Sequence, residues 1–77
     1  MNKYFSLEEK VFDVTERHPQ LIEFLADNGF ENLRNAVMRK MMGRTISVET
    51  ALKSKGLDPQ LFEEKMVRFL EERESGL

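Results

Sequence analysis

The chain carries the same pattern of helix-start residues twice. The first copy begins at Ser6 and continues 13 residues later with Pro19–Glu23. The second copy begins at Ser47 and continues 12 residues later with Pro59–Glu63. Serine is a common helix N-cap, and proline is favoured at the first position of a helix. The repeat therefore predicts two helical hairpins joined by a middle segment.

The first helix is predicted from about Leu7 to Arg17. Ser6 and Glu9 have the spacing of a capping box, in which the serine hydroxyl accepts from the glutamate amide and the glutamate carboxylate accepts from the serine amide. Pro19 ends this helix, because the residue before a proline avoids helical backbone angles. Apolar residues recur at helical spacing between these two limits.

A glycine is placed to close the helix in each hairpin. Gly29 follows the second helix, predicted from Pro19 to Asn28, and Gly56 follows the fourth helix, predicted from Val48 to Lys55. Glycine at this position adopts the left-handed backbone conformation of a Schellman motif. The fifth helix is then expected from Pro59 to about Arg73.

The middle of the chain predicts a loop and then a short helix. Glu31 to Arg34 is expected to be a loop with one anchoring apolar residue, Leu33. Asn35 is a plausible N-cap for a third helix from Ala36 to Met42. Gly43 is expected to end that helix, as the other glycines end theirs.

The fold class predicted from these elements is all-α, a compact orthogonal bundle of about five short helices. No stretch alternates with period two for long enough to form a strand. The 77 residues suit one domain, 1–77, with an ordered core of about 5–73. Cysteine is absent, so helix packing must supply the core. The fifth helix has one apolar stripe, which consists of Phe62, Met66, Phe69 and Leu70. Leu61 is expected beside this stripe.

The charge is distributed as acidic, basic and acidic segments. Residues 1–31 carry −4, residues 32–55 carry +5 and residues 56–77 carry −3, within a net charge of −2. No acidic residue lies between Asn32 and Ser47. Such a segment suits an acidic protein, a phosphate or nucleic acid, or it is a solvated face that the acidic hairpins neutralise. The candidate partner or anion site consists of Arg34, Arg39, Lys40 and Arg44.

Other functions find weaker support in the residues. The second hairpin resembles a DNA-reading helix-turn-helix in layout. Its second helix is net acidic, however, which disfavours its insertion into a DNA groove. His18 is the only histidine, so a metal site is not expected, and its ring is expected to bond nearby backbone. Three methionines of the third helix, Met38, Met41 and Met42, suit core filling, a soft-metal ligand set or an exposed patch for a partner helix.

We expect neither catalysis, nor a cofactor, nor a membrane span. No paired carboxylates stand out as an acid–base dyad, and no glycine-rich loop is placed to hold a phosphate. No apolar run approaches the length of about 20 residues that a membrane helix needs. The first residues soon meet Glu8 and Glu9, unlike a signal peptide, so a cytoplasmic location is expected. Leu61 and Val67 widen the apolar face of the fifth helix, which leaves a homodimer open.

The order and spacing of many of these residues resemble a small bacterial family catalogued as domain of unknown function 1858. The resemblance covers roughly residues 5–70 and is carried by His18–Leu25, Asn28–Phe30, Leu33–Asn35, Met38-Arg39, Gly43-Arg44, Ser47–Glu49, Ala51 and Gly56–Asp58. It implies a bundle of about five helices with no established activity. The family is similar to a redox-disulfide domain associated with hybrid-cluster proteins, and more distantly to a segment of iron–sulfur-repair proteins. Those relatives carry paired cysteines after the glycine that corresponds to Gly29.

The redox chemistry of those relatives cannot be transferred to this chain, because Phe30–Leu33 contains no cysteine. Similar domains are fused to hemerythrin-like and PAS sensor modules, which implies an accessory role in sensing or signalling. The leading hypothesis is therefore a non-enzymatic interaction or accessory module whose basic middle contacts an acidic partner or an anion. The alternative is a sensor that binds a small ligand or cofactor between the two hairpins.

Overall fold

Five α-helices and one 3₁₀-helix make up the described part of the chain. The computed structural model describes residues 2–75, with the side chains of residues 2–74. The elements are α1 (Val11–Arg17), α2 (Gln20–Asp27), a 3₁₀-helix (Glu31–Arg34), α3 (Ala36–Gly43), α4 (Val48–Ser54) and α5 (Pro59–Ser75). The β-structure within residues 2–75 is one isolated antiparallel bridge between Lys10 and Ser47. The prediction of an all-α bundle is confirmed.

The predicted start of the first helix is wrong by four residues. Helix α1 begins at Val11, not at Leu7. Half of the predicted capping box is present, because the amide of Ser6 donates to the carboxylate of Glu9 at 2.7 Å. The Ser6 hydroxyl, however, accepts from the amide of Glu8 at 3.2 Å. The box therefore closes a turn that precedes the helix.

A tertiary contact explains the late start of α1. The amides of Val48 and Glu49, at the first positions of α4, donate to the carbonyls of Glu9 and Leu7, both at 2.9 Å. The first amides of a helix have no partner within the helix and need acceptors elsewhere. The Val11 amide also donates to the Ile46 carbonyl at 3.0 Å, so it does not form the helical bond to the Leu7 carbonyl that an earlier start would require. Local sequence signals cannot reveal this pairing, because its two sides lie about 40 residues apart.

Both hairpins close as predicted. Gly29 has φ of +108° and Gly56 has φ of +73°, the left-handed region that side chains with a Cβ disfavour. The amide of the residue after each glycine donates to the carbonyl five residues earlier, at 3.0 Å in both hairpins. This bond defines the Schellman motif and satisfies a carbonyl that the helix end would leave unpaired.

The middle segment is more regular than predicted. Glu31 to Arg34 forms a 3₁₀-helix rather than a loop, and Leu33 within it is buried, as the prediction of an anchoring residue requires. The Asn35 side chain accepts from the amide of Met38 at 3.0 Å, which confirms its prediction as N-cap of α3. Helix α3 extends through Gly43, one residue beyond the predicted end.

The core lies between the two hairpins and comes from α1, α2, α4, α5 and the segments beside them. Its large apolar side chains are Phe5, Val11, Val14, Leu21, Leu25, Leu33, Val48, Leu52, Phe62, Met66 and Leu70. The centre of the Phe24 ring on α2 lies 4.7 Å from the ring centre of Phe69 and 5.8 Å from that of Phe62, both on α5. These ring contacts join the two hairpins. The buried residue of α3 is Gly43, so this helix contributes no apolar side chain to the core.

Two expectations for α5 need correction. The helix extends to Ser75, two residues past the predicted end. Leu61, which was expected beside the apolar stripe, is 60% exposed. The buried residues Phe62, Met66 and Leu70 are spaced by four residues, so they occupy one narrow side of the helix. Leu61 precedes that side by about 100° and therefore faces solvent.

Candidate interaction surface

Helix α3 presents its large apolar side chains to solvent. Val37, Met38, Met41 and Met42 are 66%, 38%, 69% and 48% exposed. Among residues 2–74, the exposed large apolar side chains are these four and Leu61. Positions i, i+1, i+4 and i+5 share one side of a helix, so the four form a continuous surface. We call this surface the α3 face. The prediction that its methionines fill the core is wrong, because all three are exposed.

Helix α3 packs on α1 through backbone, which explains why its apolar residues point outward. Gly43 is buried, and a Cβ built on it would lie 2.8 Å from the Phe12 nitrogen and 3.0 Å from the Phe12 Cβ. Separations below 3.0 Å are not found for real Cβ atoms, so a larger residue would push the helices apart. Gly43 was expected only to end the helix. It lies within the helix, and its missing side chain permits the contact.

Arg34, the first of the four predicted site residues, is neutralised by α2. Its Nε donates to Glu23 at 3.0 Å and its Nη2 donates to Asp27 at 2.6 Å. The hydrogen bond with Glu23, followed by the nearby carboxylate charges, raises the pKa of Arg34 above its ordinary value. The pair of carboxylates leaves little net charge for a partner at this position.

Arg39 holds α3 against the 3₁₀-helix. Its Nη1 donates to the Leu33 carbonyl at 2.7 Å, and its side chain is half-buried. The Arg39 Nε is buried without a hydrogen-bond partner among the described residues. The contact assigns this arginine a positioning role in the middle segment, on the side of α3 away from solvent.

Lys40 and Arg44 are exposed beside the α3 face. They lie three residues after Val37 and Met41, respectively, and so border the face along one edge. Within the described residues neither forms an ion pair, although the Arg44 guanidinium lies 5.8 Å above the Phe12 ring. Of the four predicted site residues, these two have a charge that a partner can reach.

A pocket of about 180 Å³ opens at the end of the α3 face. Its lining comes from Gly29–Leu33, Met42 and Lys55. The Lys55 ammonium lies 5.7 Å from the centre of the Phe30 ring, which places a third exposed cation at the rim. Sequence reasoning missed Lys55 and the pocket, because three separate turns of the chain build them and no local motif marks them.

The remaining polar groups support the hairpin ends. The His18 Nε2 lies 3.1 Å from the Tyr4 carbonyl, as expected for a histidine bonded to nearby backbone. A hydrogen bond with Glu74, with smaller contributions from burial and the charges of Glu74 and Glu71, raises the pKa of Tyr4 to about 12. No group of three or more metal-ligating side chains occurs among the described residues.

The bundle contains little free space between its hairpins. The cavity between the hairpins, lined by core residues such as Val14, Leu52 and Met66, measures only about 10 Å³. That volume is about the size of one water molecule's probe sphere. In residues 2–75, every helix is too short or too polar to span a bilayer.

Taken together, these features define a small all-α domain with an exposed apolar helix face bordered by positive charge. The family described as Domain of unknown function (DUF1858) matches residues 5–62, which is more than half of the chain. The chain therefore belongs to this family, as the resemblance predicted. No curated protein and no solved structure was found to match it.

Proposed function

We propose that this protein is a non-enzymatic interaction module that binds an acidic partner protein through the α3 face. The observation that carries the proposal is the exposure of Val37, Met38, Met41 and Met42 together on one side of α3. Contiguous exposed apolar surface is unfavourable in water and is typical of binding sites. Methionine suits such a surface, because its flexible side chain adapts to a partner.

Charge supports an acidic partner. Lys40 and Arg44 border the α3 face without an ion-pair partner among the described residues, and no carboxylate occurs between Asn32 and Ser47. Complementary charge around an apolar centre accelerates association and excludes wrong partners. An accessory role beside hemerythrin-like or PAS sensor proteins and a cytoplasmic location belong to the same proposal, and both stay predictions.

The ligand-sensor alternative receives no support from the cavity between the hairpins. Small-molecule sites measure about 300–1,000 Å³, whereas this cavity measures about 10 Å³. A metabolite bound there would require the hairpins to separate. We therefore favour a surface function over an internal site.

The test compares matched variants in binding to a purified partner, first identified by co-purification with the full chain from its host. We expect Met41→Glu, near the centre of the α3 face, to weaken binding at least about tenfold. Lys40→Glu, at the edge of the face, should weaken binding less, mainly by slowing association. The controls are Leu61→Glu and Lys65→Glu, an apolar-to-acidic change and a charge reversal at exposed positions of α5. These should stay within about twofold of the unchanged protein.

A loss of binding is informative only if the variant is folded. Circular dichroism should therefore show equal helix content for all four variants. Full affinity in both α3 variants would refute the proposed surface. Equal losses in the α5 controls would point instead to a partner that spans both helices.

A further inference from the structure

The α3 face continues into the pocket beside it. Met42 belongs to both surfaces: it is 48% exposed on α3 and it lines the pocket. Leu33, buried at the same place, and Phe30 supply further apolar lining. A binding element that covers Val37 and Met41 therefore meets a recess at one end of its contact, not a flat edge.

The size of the recess favours one side chain over a free small molecule. Its volume of about 180 Å³ is below the range of about 300–1,000 Å³ for small-molecule sites. Interfaces concentrate their binding energy in a few side chains that fill such recesses. The recess therefore suits an apolar anchor residue of a partner.

The charges around this extended surface are mostly positive. Lys55 stands at the recess, and Lys40 and Arg44 border the α3 face. Glu31 is the carboxylate that lines the recess, while the nearby Arg34 is already paired with α2. The three accessible cations favour a partner that brings acidic side chains.

The secondary structure of this surface indicates the form of the binding element. A partner strand needs a sheet edge with unpaired backbone groups, and residues 2–75 contain one isolated bridge and no sheet. The backbone of α3 is occupied by its own helical bonds and by the Asn35 cap. An apolar helix face without a sheet edge therefore favours side-chain packing against a second helix.

A second copy of this chain fits this surface poorly. Two α3 faces packed antiparallel about a two-fold axis would bring Lys40 and Arg44 of both copies together. No acidic residue between Asn32 and Ser47 would offset that repulsion. Like charges brought together across an interface oppose association. The charges thus favour a different chain as the occupant.

We infer that the partner binds through an amphipathic α-helix whose apolar stripe is flanked by acidic residues. One apolar side chain of that helix occupies the recess beside Met42, and a neighbouring carboxylate pairs with Lys55. This inference rests on the proposed function, since it specifies what the α3 face binds.

The experiment is an NMR titration of the full chain with three synthetic peptides of about 18 residues, because shorter peptides are marginal helices in water. The first peptide has a leucine stripe flanked by glutamates. The second replaces the glutamates by lysines, and the third keeps the composition of the first in an order without a stripe. We expect the first to bind at least about tenfold more tightly than the others. Its shifts should map to the α3 face and to Asn32, Leu33 and Lys55.

Paired variants test the recess. Lys55→Glu should weaken the first peptide about tenfold, whereas Lys65→Glu on α5 should change its affinity less than about twofold. Replacing the peptide's leucines one at a time by alanine should reveal one position with a dominant loss and with no remaining shifts in the recess. Such a position identifies the anchor.

The outcomes separate the inference from the proposed function. If the rearranged acidic peptide binds the α3 face as well as the first, or if binding leaves the recess unchanged, the inferred helix is refuted while the acidic contact survives. If no acidic peptide shifts α3 resonances at millimolar concentration, the proposed surface itself is refuted. Tighter binding of the lysine peptide would refute both.

Discussion

Helices α3 and α4 have similar N-terminal caps, but the apolar side chains of α4 face the core and those of α3 face solvent. Each is short, and each starts with a polar side chain that accepts from the amide three residues later, Asn35 in α3 and Ser47 in α4. Helix α4 buries Val48, Ala51 and Leu52, whereas α3 buries only Gly43. The comparison shows that caps determine where a helix forms, while packing decides which side of it faces water.

The difference arises at the contact with α1. The first amides of α4 donate to the turn before α1, which holds α4 by its end and turns its apolar side inward. Helix α3 approaches Phe12 through Gly43, so the side that faces the bundle carries no large apolar side chain. Its apolar residues are then left on the opposite side. Three experiments test the different roles of these two helices.

The largest effect is expected from Leu52→Ala compared with Met41→Ala. Leu52 is 1% exposed, so its truncation leaves a cavity and should lower the free energy of unfolding by about 2–5 kcal/mol. Met41 is 69% exposed, so its truncation should change that energy by less than about 0.5 kcal/mol. Urea denaturation of the full chain measures both. Similar losses for the two variants would mean that α3 is buried against something in solution.

The second effect is expected at the contact between α3 and α1. Gly43→Ala places a Cβ against the Phe12 backbone, and the shift this requires should cost about 1–3 kcal/mol of unfolding free energy. Alanine is otherwise the better helix former, by about 1 kcal/mol. A stabilised variant in thermal or urea denaturation would therefore contradict the close approach. Ala36→Gly is the reverse change at an exposed position, the first residue of α3, and should cost at most about 1 kcal/mol.

The smallest effect concerns the turn that holds α4. The hydrogen bond from Arg17, followed by the bond from the Ser6 amide, lowers the pKa of Glu9 below 4.5. A group whose pKa is lowered by folding stabilises the folded state above its unfolded pKa. That contribution is lost as the pH falls through the lowered value. For a partly exposed pair we expect about 0.2–1 kcal/mol.

The measurement for this third effect is the free energy of unfolding against pH. Glu9→Gln should be less stable than the unchanged protein at pH 7, and the difference should shrink as the pH falls below 4.5. Glu16→Gln is the control, since Glu16 is exposed on α1 and has no ion-pair partner among the described residues. A difference that grows toward acid pH would reverse the sign and exclude this account.

Much of the fold could be predicted from residues that act locally. The glycines at positions 29 and 56 close helices within a few residues of their own place, and their predicted geometry is confirmed. Asn35 and Ser47 cap the helices that follow them, also as predicted. The start of α1 could not be predicted, because it depends on hydrogen bonds with α4, far along the chain.

The candidate surface was harder to predict than the fold. The basic residues of the middle segment were visible, but their pairing was not: Arg34 is neutralised by two carboxylates of α2, and Arg39 binds a backbone carbonyl. The outward orientation of Met41 depends on the approach of Gly43 to Phe12, which periodicity cannot reveal. Which cations bind a partner stays a prediction.

The bonds from Val48 and Glu49 to the carbonyls of Glu9 and Leu7 make the repeated halves interdependent. A fragment that stopped at Gly43 would lose the donors for those carbonyls, and a fragment that began at Ser47 would expose the first amides of α4. Each of the two similar halves thus supplies hydrogen-bond partners that the other needs. Engineering that splits or permutes this polypeptide should keep both in one molecule and attach new domains outside them.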